Sequence, residues 1–167
     1  CWMSSAGYSI SGYDACLHEN VRKHLVAAGV ELRDFVFPEQ VGGFTTIVYT
    51  SALRQDHPLL EAARAVGLAC VRRGEMLARL AADRNLIAIV GSHGKTTTAG
   101  MVAWGIRKSG LEANYISGGL FNDDSIPPGH YSESPLLVAE VDESDGTIEA
   151  FNPEHSLILN LDWDHAD

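Results

Sequence analysis

The chain has 167 residues, of which 46% are hydrophobic and 20% charged, and this composition is typical of a folded globular protein rather than a disordered one. Twelve Lys and Arg residues against 22 Asp and Glu residues give a formal net charge of −10. This charge would repel a phosphate backbone, so it argues against general nucleic-acid binding. No apolar run approaches the roughly 18 residues of a membrane span, so no membrane partner is expected.

The three cysteines Cys1, Cys16 and Cys70 lie far apart and none forms a C-x-x-C pair. Their odd number and separation indicate neither a disulfide framework nor a thiolate metal site, and a reducing cytoplasm fits best. The chain begins with Cys1 rather than Met, and its first residues lack the basic-then-apolar order of a signal peptide. We therefore expect that sequence upstream of Cys1 is absent.

Short apolar or β-branched runs alternate with helical patterns along the chain. The predicted strands cover residues 8–11, 31–37, 45–50, 68–71, 86–90, 113–116, 135–141 and 156–161. The predicted helices cover residues 17–28, 58–66, 75–82 and 95–109. This alternation predicts an α/β fold with parallel strands and right-handed crossovers. Residues 122–135 are expected to form a surface loop or short hairpin, and Trp104 is expected to pack in the core.

The strongest chemical signal is the segment Gly-Ser-His-Gly-Lys-Thr-Thr-Thr at residues 91–98, which follows an apolar strand and precedes a helix. Glycines let backbone N–H groups face phosphate oxygens, Lys95 can reach the β and γ phosphates, and a Thr hydroxyl can bind Mg²⁺. The common motif would place its first glycine at Ile89, so this loop is shorter than usual. A glycine turn with a surface lysine is the alternative, but the order of strand, loop and helix favours phosphate binding.

Two later apolar strands lead to acidic and amide side chains. Glu140 lies near the carboxyl end of one strand, and the other leads to Asn160, Asp164, His165 and Asp167. Open α/β sheets bind ligands at this edge, and carboxylates near a triphosphate suit Mg²⁺. We expect functional roles for Glu140 and His165. A solvated acidic loop is an equally good interpretation for four further acids, namely Asp142, Glu143, Asp145 and Asp162.

Three motifs, GSHGKTTT at 91–98, VAEVDESDG at 138–146 and LNLDWDHAD at 159–167, together resemble the Mur ligases of bacterial cell-wall synthesis. The shortened phosphate loop is the form that this family uses. The resemblance extends upstream to GYSISGYD at 7–14, TSA at 50–52, DHP at 56–58 and VRRGEM at 71–76.

The resemblance implies a Rossmann-like UDP-sugar domain at residues 1–83, incomplete at its N-terminus, followed by the start of the central ATP-binding domain at 84–167. The break falls at residues 82–85, where a predicted helix gives way to an apolar strand. The family's N-terminal glycine loop and its third domain are not found in the sequence. The chain alone is therefore not expected to be catalytically competent.

The implied reaction is ATP-driven amide formation. The muramic acid carboxylate of UDP-N-acetylmuramate attacks the γ-phosphate of ATP, and the amine of L-alanine then attacks the acyl phosphate. By resemblance, Lys95 holds the β and γ phosphates, Thr96 and Glu140 bind one Mg²⁺, and His165 binds a second. The implied nucleotide contacts are Gly91, Ser92, His93, Gly94, Lys95, Thr96, Thr97 and Asn160. Asp14 and Ser51 are candidates for the uridine end.

Other activities remain open at this stage. The branch of the family that attaches a recycled murein tripeptide to the same UDP-sugar also fits the motifs, although it tends to carry Tyr where Ser144 stands. A nucleotide-binding module without ligase activity would bind ATP with no dependence on a UDP-sugar. The folylpolyglutamate synthase branch ranks last, since it gives no reason for the N-terminal segments to match a UDP-sugar domain.

Overall fold

The computed structural model describes residues 1–33, 38–143 and 146–161 of the chain. The first half contains helices α1 (Trp2–Ser5), α2 (Glu19–Ala27), α3 (Pro58–Ala65) and α4 (Arg73–Ala81). Its strands are β1 (Ser11–Gly12), β2 (Glu31–Leu32), β3 (Thr46–Tyr49) and β4 (Ala69–Arg72), and a short 3₁₀ helix covers Pro38–Gly43. Strands β1 and β2 form one parallel pair, and β3 and β4 form another.

The second half is built around a five-stranded sheet. Its strands are β5 (Asn85–Val90), β6 (Asn114–Ile116), β7 (Gly129–His130), β8 (Leu136–Glu140) and β9 (His155–Ile158). Helix α5 (Lys95–Lys108) follows β5, and a 3₁₀ turn covers Ile148–Ala150. The strand order is β7-β6-β8-β5-β9, in which only the β6–β7 pair of the described strands is antiparallel. The predicted α/β fold class is thus confirmed.

The sheet is covered on both faces, which explains the almost uninterrupted apolar sequence of β5 and β8. One face packs Leu86 and Leu137 against Ala81 of α4, and the other packs Ile89 and Val138 against α5. The end of α4 therefore belongs to the core of the five-stranded sheet, although its first residues follow β4 directly. This helix joins the two halves of the chain, whose division at residue 83 stays a prediction.

Asn114 is fully buried and ties the N-terminus to the sheet. Its Oδ1 accepts hydrogen bonds from Trp2 Nε1 at 3.1 Å and from the Ser132 N–H at 3.0 Å. Its Nδ2 donates to the carbonyls of Ser134 and Leu136 at 2.7 and 3.2 Å. All four hydrogen-bonding positions of the amide are used, which is what a buried polar group requires.

The observed elements differ from the sequence predictions in several places, of which three bear on the site and the core. A one-turn helix, α1, precedes β1 and has no counterpart in the predictions. The stretch 122–135, predicted as a surface loop or short hairpin, contains β7, which pairs antiparallel with β6, and its Ile126 is buried at 7% exposure. The prediction for Trp104 was wrong, because its side chain is 49% exposed and the small side chains of Ala99 and Ala103 contact the sheet instead.

Candidate active site

The loop between β5 and α5 has a backbone that requires glycine at both ends. Gly91 and Gly94 have φ values of +139° and +85°, a region that side chains with a Cβ rarely adopt. A Cβ on Gly91 would also lie 3.2 Å from the backbone N and O atoms of Asn160. Gly94 is the N-cap of α5, so the unpaired N–H groups of the first helical turn and the positive end of the helix dipole lie at the loop.

Asn160, just after β9, holds this loop from the side. The His93 N–H donates to Asn160 Oδ1 at 2.9 Å, and Asn160 Nδ2 donates to the His93 carbonyl at 2.9 Å. The Asn160 side-chain amide thus makes the same two hydrogen bonds to the His93 N–H and carbonyl that a residue of a neighbouring strand would make. The structure shows Asn160 as an anchor of the loop. Its predicted contact with a nucleotide stays a prediction.

Lys95, the first residue of α5, points back into the loop. Its Nζ donates to the Gly91 carbonyl at 2.7 Å and to Glu143 Oε2 at 3.0 Å, and Asp142 Oδ1 lies 3.9 Å away. Because the Lys95 side chain is only 18% exposed, these ion pairs are partly shielded from water. Both carboxylates therefore face the Lys95 ammonium at the glycine loop.

Asp142 also connects this site to the first half of the chain. Its Oδ2 lies 3.6 Å from a guanidinium nitrogen of Arg73, the first residue of α4. The acidic segment after β8 was open to two interpretations. In the structure Asp142 and Glu143 are not merely solvated, since both are paired with cations at the phosphate loop.

Glu140 is the last residue of β8, and its Oε2 is buried without a hydrogen-bond partner in the described part of the chain. A buried carboxylate oxygen with no partner is costly, and a bound cation would satisfy it. Glu140 and Thr96 both contact the loop after β6, at Gly118 and Gly119 respectively.

Within the described residues no group of three His, Cys, Asp or Glu side chains converges on one point. Protein sites hold Mg²⁺ through one or two side chains together with water and substrate phosphates, and a carboxylate and a hydroxyl supply the oxygen ligands that this ion prefers. Glu140 and Thr96 therefore fit the predicted magnesium site. His165, predicted to bind a second Mg²⁺, lies outside the described residues, as do Asp145, Asp162, Asp164 and Asp167.

A cavity of about 730 Å³ opens beside the loop, and Thr96 and Thr97 form part of its wall. Met101 and Trp104 of α5 line the cavity from one side, and Phe121 from the other. Trp104 is thus exposed because it lines this cavity, which helical periodicity alone could not reveal. Ser92 and His93 complete the loop between its two glycines.

The two uridine candidates lie elsewhere. Asp14 follows β1, accepts a hydrogen bond from the Cys16 N–H at 2.8 Å, and borders a cavity of about 180 Å³ with Arg22 and Arg33. Ser51 is exposed in the turn after β3. Each therefore follows a strand of a different parallel pair, and their predicted contact with a nucleotide stays a prediction.

The largely parallel sheet, the glycine loop and the helix after it make this an α/β protein with the strand–loop–helix order that is typical of phosphate-binding loops. A family model described as "Mur ligase family, catalytic domain" matches residues 2–85, which is half of the chain. The chain belongs to the Mur ligase family. The matched range ends before Gly91 and does not include the glycine loop.

Curated relatives extend the similarity over the whole chain. UDP-N-acetylmuramate--L-alanine ligase from Hyphomonas neptunium is 36% identical over 99% of the chain, and the enzyme of the same name from Gloeobacter violaceus is 37% identical over 99%. The chain spans about a third of their length, 34% and 35% respectively. The names of these relatives apply to proteins about three times as long.

Solved structures support the fold. The structure of UDP-N-acetylmuramate:L-alanyl-gamma-D-glutamyl-meso-diaminopimelate ligase from Neisseria meningitides matches 99% of the chain and 57% of its own, with a TM-score of 0.80 and 25% identity. UDP-N-acetylmuramate-alanine ligase from Thermotoga maritima matches 96% of the chain and 37% of its own, with a TM-score of 0.82 and 24% identity. The second likeness, at this identity, shows the fold alone.

Proposed function

We propose that the chain forms the phosphate-binding part of an ATP-dependent amide ligase that joins L-alanine to the carboxylate of UDP-N-acetylmuramate in peptidoglycan precursor synthesis. The observation that carries this proposal is the Lys95 ammonium held at the glycine loop by Glu143, together with the buried Glu140 Oε2, which has no hydrogen-bond partner among the described residues. The curated relatives named above support the choice of substrates.

In this proposal the loop N–H groups and Lys95 bind the β and γ phosphates of ATP. The γ-phosphoryl group passes to the muramic acid carboxylate, so one anion attacks another and the protein's main task is to neutralise charge and hold both groups in line. Lys95 exchanges its carboxylate partners for phosphate oxygens when the nucleotide binds. Mg²⁺, held by Thr96 and Glu140, would neutralise phosphate charge at the transferring group.

Asn160 keeps the loop N–H groups aimed at the phosphates, because its amide fixes the backbone of His93 on both sides. The second metal position remains assigned to His165. Imidazole must be neutral to bind a metal ion, so acidification would weaken that position. A cytoplasmic location belongs to the same proposal. No helix in residues 1–33, 38–143 or 146–161 has the length and apolar character needed to cross a bilayer.

The test uses the full-length protein with ATP, Mg²⁺ and UDP-N-acetylmuramate. We expect phosphate release that requires L-alanine, and we expect Lys95→Ala to abolish it and Glu140→Gln to reduce it strongly. Phosphate release that survives Lys95→Ala would remove the phosphate-loop assignment. ATP binding without phosphate release when UDP-N-acetylmuramate and L-alanine are both supplied would indicate a binding module rather than a ligase.

A second candidate is ligation of a murein tripeptide to the same UDP-sugar. The similarity to the Neisseria meningitides ligase, whose name contains such a peptide, favours it. Supplying L-alanine and the tripeptide in separate reactions distinguishes the two candidates. Phosphate release with the tripeptide but not with L-alanine would replace the first proposal by the second and leave the roles of Lys95 and Glu140 unchanged.

A further inference from the structure

Two adjacent glycines after β6, Gly118 and Gly119, lie against the two side chains proposed to bind Mg²⁺. A Cβ on Gly118 would overlap Glu140 Oε1 and lie 2.8 Å from the Glu140 carboxyl carbon. A Cβ on Gly119 would lie 2.6 Å from Thr96 Cγ2. Real Cβ atoms do not approach neighbours this closely, so either substitution would move a proposed metal ligand.

The backbone does not explain these glycines. Neither has the positive φ that Gly91 and Gly94 have, so an alanine could adopt the same conformation at both positions. The remaining reason for glycine is steric. Glu140 occupies the position that a Cβ would take at Gly118, and Thr96 does so at Gly119.

We propose that Gly118 and Gly119 are positioning residues that hold open the space in which the Glu140 carboxylate and the Thr96 hydroxyl meet Mg²⁺ and the γ-phosphate. This inference rests on the proposed function. Neighbouring Cα atoms are about 3.8 Å apart, so one dipeptide fixes the place of both ligands.

The structure separates this role from a role in folding. The atoms that an added Cβ would meet belong to the Glu140 and Thr96 side chains and not to the backbone, so these side chains can give way without a change in the backbone. Glu140 Oε2 has no hydrogen bond to lose in such a rotation within the described residues. A substitution should therefore displace the ligands while leaving the fold almost as stable as before.

The experiment measures how much Mg²⁺ the full-length protein needs to bind a fluorescent ATP analogue. We expect Gly118→Ala and Gly119→Ala each to raise the half-saturating Mg²⁺ concentration by roughly 10–100-fold, the usual effect of disturbing the surroundings of a metal ligand. The melting temperature without Mg²⁺ and nucleotide should change little. Gly42→Ala is the matched control, because nothing lies within 4 Å of a Cβ at that exposed position.

Rescue variants test the steric cause directly. Thr96→Ser keeps the hydroxyl and removes the methyl group that Gly119→Ala would meet, so the double variant Thr96→Ser/Gly119→Ala should require about as much Mg²⁺ as Thr96→Ser alone. Glu140→Asp shortens the acidic side chain. Adding Gly118→Ala to Glu140→Asp should therefore raise the half-saturating Mg²⁺ concentration little further. Effects that add instead of cancelling would overturn the proposal.

The same assay distinguishes the two levels of inference. If Glu140→Gln leaves the Mg²⁺ requirement unchanged, the proposed metal site itself is wrong. If Glu140→Gln raises the Mg²⁺ requirement and Gly118→Ala and Gly119→Ala behave like Gly42→Ala, the metal site stands and the role of the two glycines is refuted. A large fall in melting temperature for both single variants would refute it as well, since it would indicate a structural role.

Discussion

Replacement of Asn160 by alanine removes the side chain that fixes the phosphate loop from β9. The two hydrogen bonds to the backbone of His93 are both 2.9 Å long. At about 0.5–1.5 kcal/mol each, they contribute roughly 1–3 kcal/mol to the ordered loop. Since the Asn160 amide is partly exposed, water can replace part of these two hydrogen bonds in the variant. We therefore expect Asn160→Ala to lower the stability of the ordered loop by about 1–2 kcal/mol.

ATP binds the ordered loop, so a variant in which that order is less stable must regain it on binding. The dissociation constant for ATP should therefore rise by about 5–30-fold in Asn160→Ala, since 1.4 kcal/mol corresponds to a factor of ten. Titration of the full-length protein with a fluorescent ATP analogue measures that constant. Hydrogen exchange of the amides at residues 91–94 without nucleotide measures the loop itself. Asn152→Ala, at an exposed position before β9, is the control.

Hydrogen exchange gives the result that would refute this reasoning. Unchanged exchange at residues 91–94 in Asn160→Ala would show that the side chain does not order the loop. Weaker ATP binding together with unchanged exchange would indicate that Asn160 touches the nucleotide directly, which is the role that the sequence motif suggested. An anchoring role requires both measurements to change together.

Glu143→Gln should strengthen binding of ATP without Mg²⁺ by a few-fold, because it removes the carboxylate that competes with phosphate for Lys95, and the same fluorescence titration measures this. Asn114→Ala should lower the free energy of unfolding by about 3 kcal/mol, measured by urea denaturation, because it leaves buried groups such as Trp2 Nε1 without a partner. Burial, with a smaller contribution from Arg107, lowers the pKa of His130. Below about pH 6.5 the unfolded chain therefore binds more protons than the folded chain, and the free energy of unfolding falls as the pH falls. His130→Phe should flatten this dependence in urea denaturation between pH 5 and 7.5.

Each of these expectations has a result that contradicts it. Weaker ATP binding in Glu143→Gln would mean that the carboxylate supports the bound nucleotide. An Asn114→Ala variant as stable as Asn152→Ala would mean that water replaces the lost hydrogen bonds. A pH dependence that His130→Phe leaves intact would assign the acid sensitivity to other groups.

Local patterns predicted much of this molecule because several elements carry their own signals. Strand β5 is apolar because both of its faces are covered, and α5 begins directly after a glycine in the left-handed region. His57 caps α3 through Nδ1, which accepts from the Leu59 N–H at 3.3 Å, and Pro58 occupies the first helical position. Such features depend on neighbours in sequence.

The remaining features depend on neighbours in space. Gly118 and Gly119 have no unusual backbone, so only their closeness to Glu140 and Thr96 explains them. The anchoring task of Asn160 depends on β9 lying beside β5. Trp104 follows the helical spacing of core residues, yet the sheet is met by the smaller side chains of α5. Periodicity identifies an apolar residue but does not identify which face finds a partner.

The order of the strands also has a consequence for how the chain is made. Strand β5 ends at Val90, and its partner β8 begins only at Leu136. At roughly 5–20 residues per second, synthesis of the segment between them takes on the order of 2–9 s. During that time β5, with Leu86 and Ile89, lacks the neighbouring strand β8 with which it pairs in the folded sheet. The nascent protein therefore exposes an apolar strand for seconds, and the early ribosome-bound chain is the stage at which we expect chaperones to matter most.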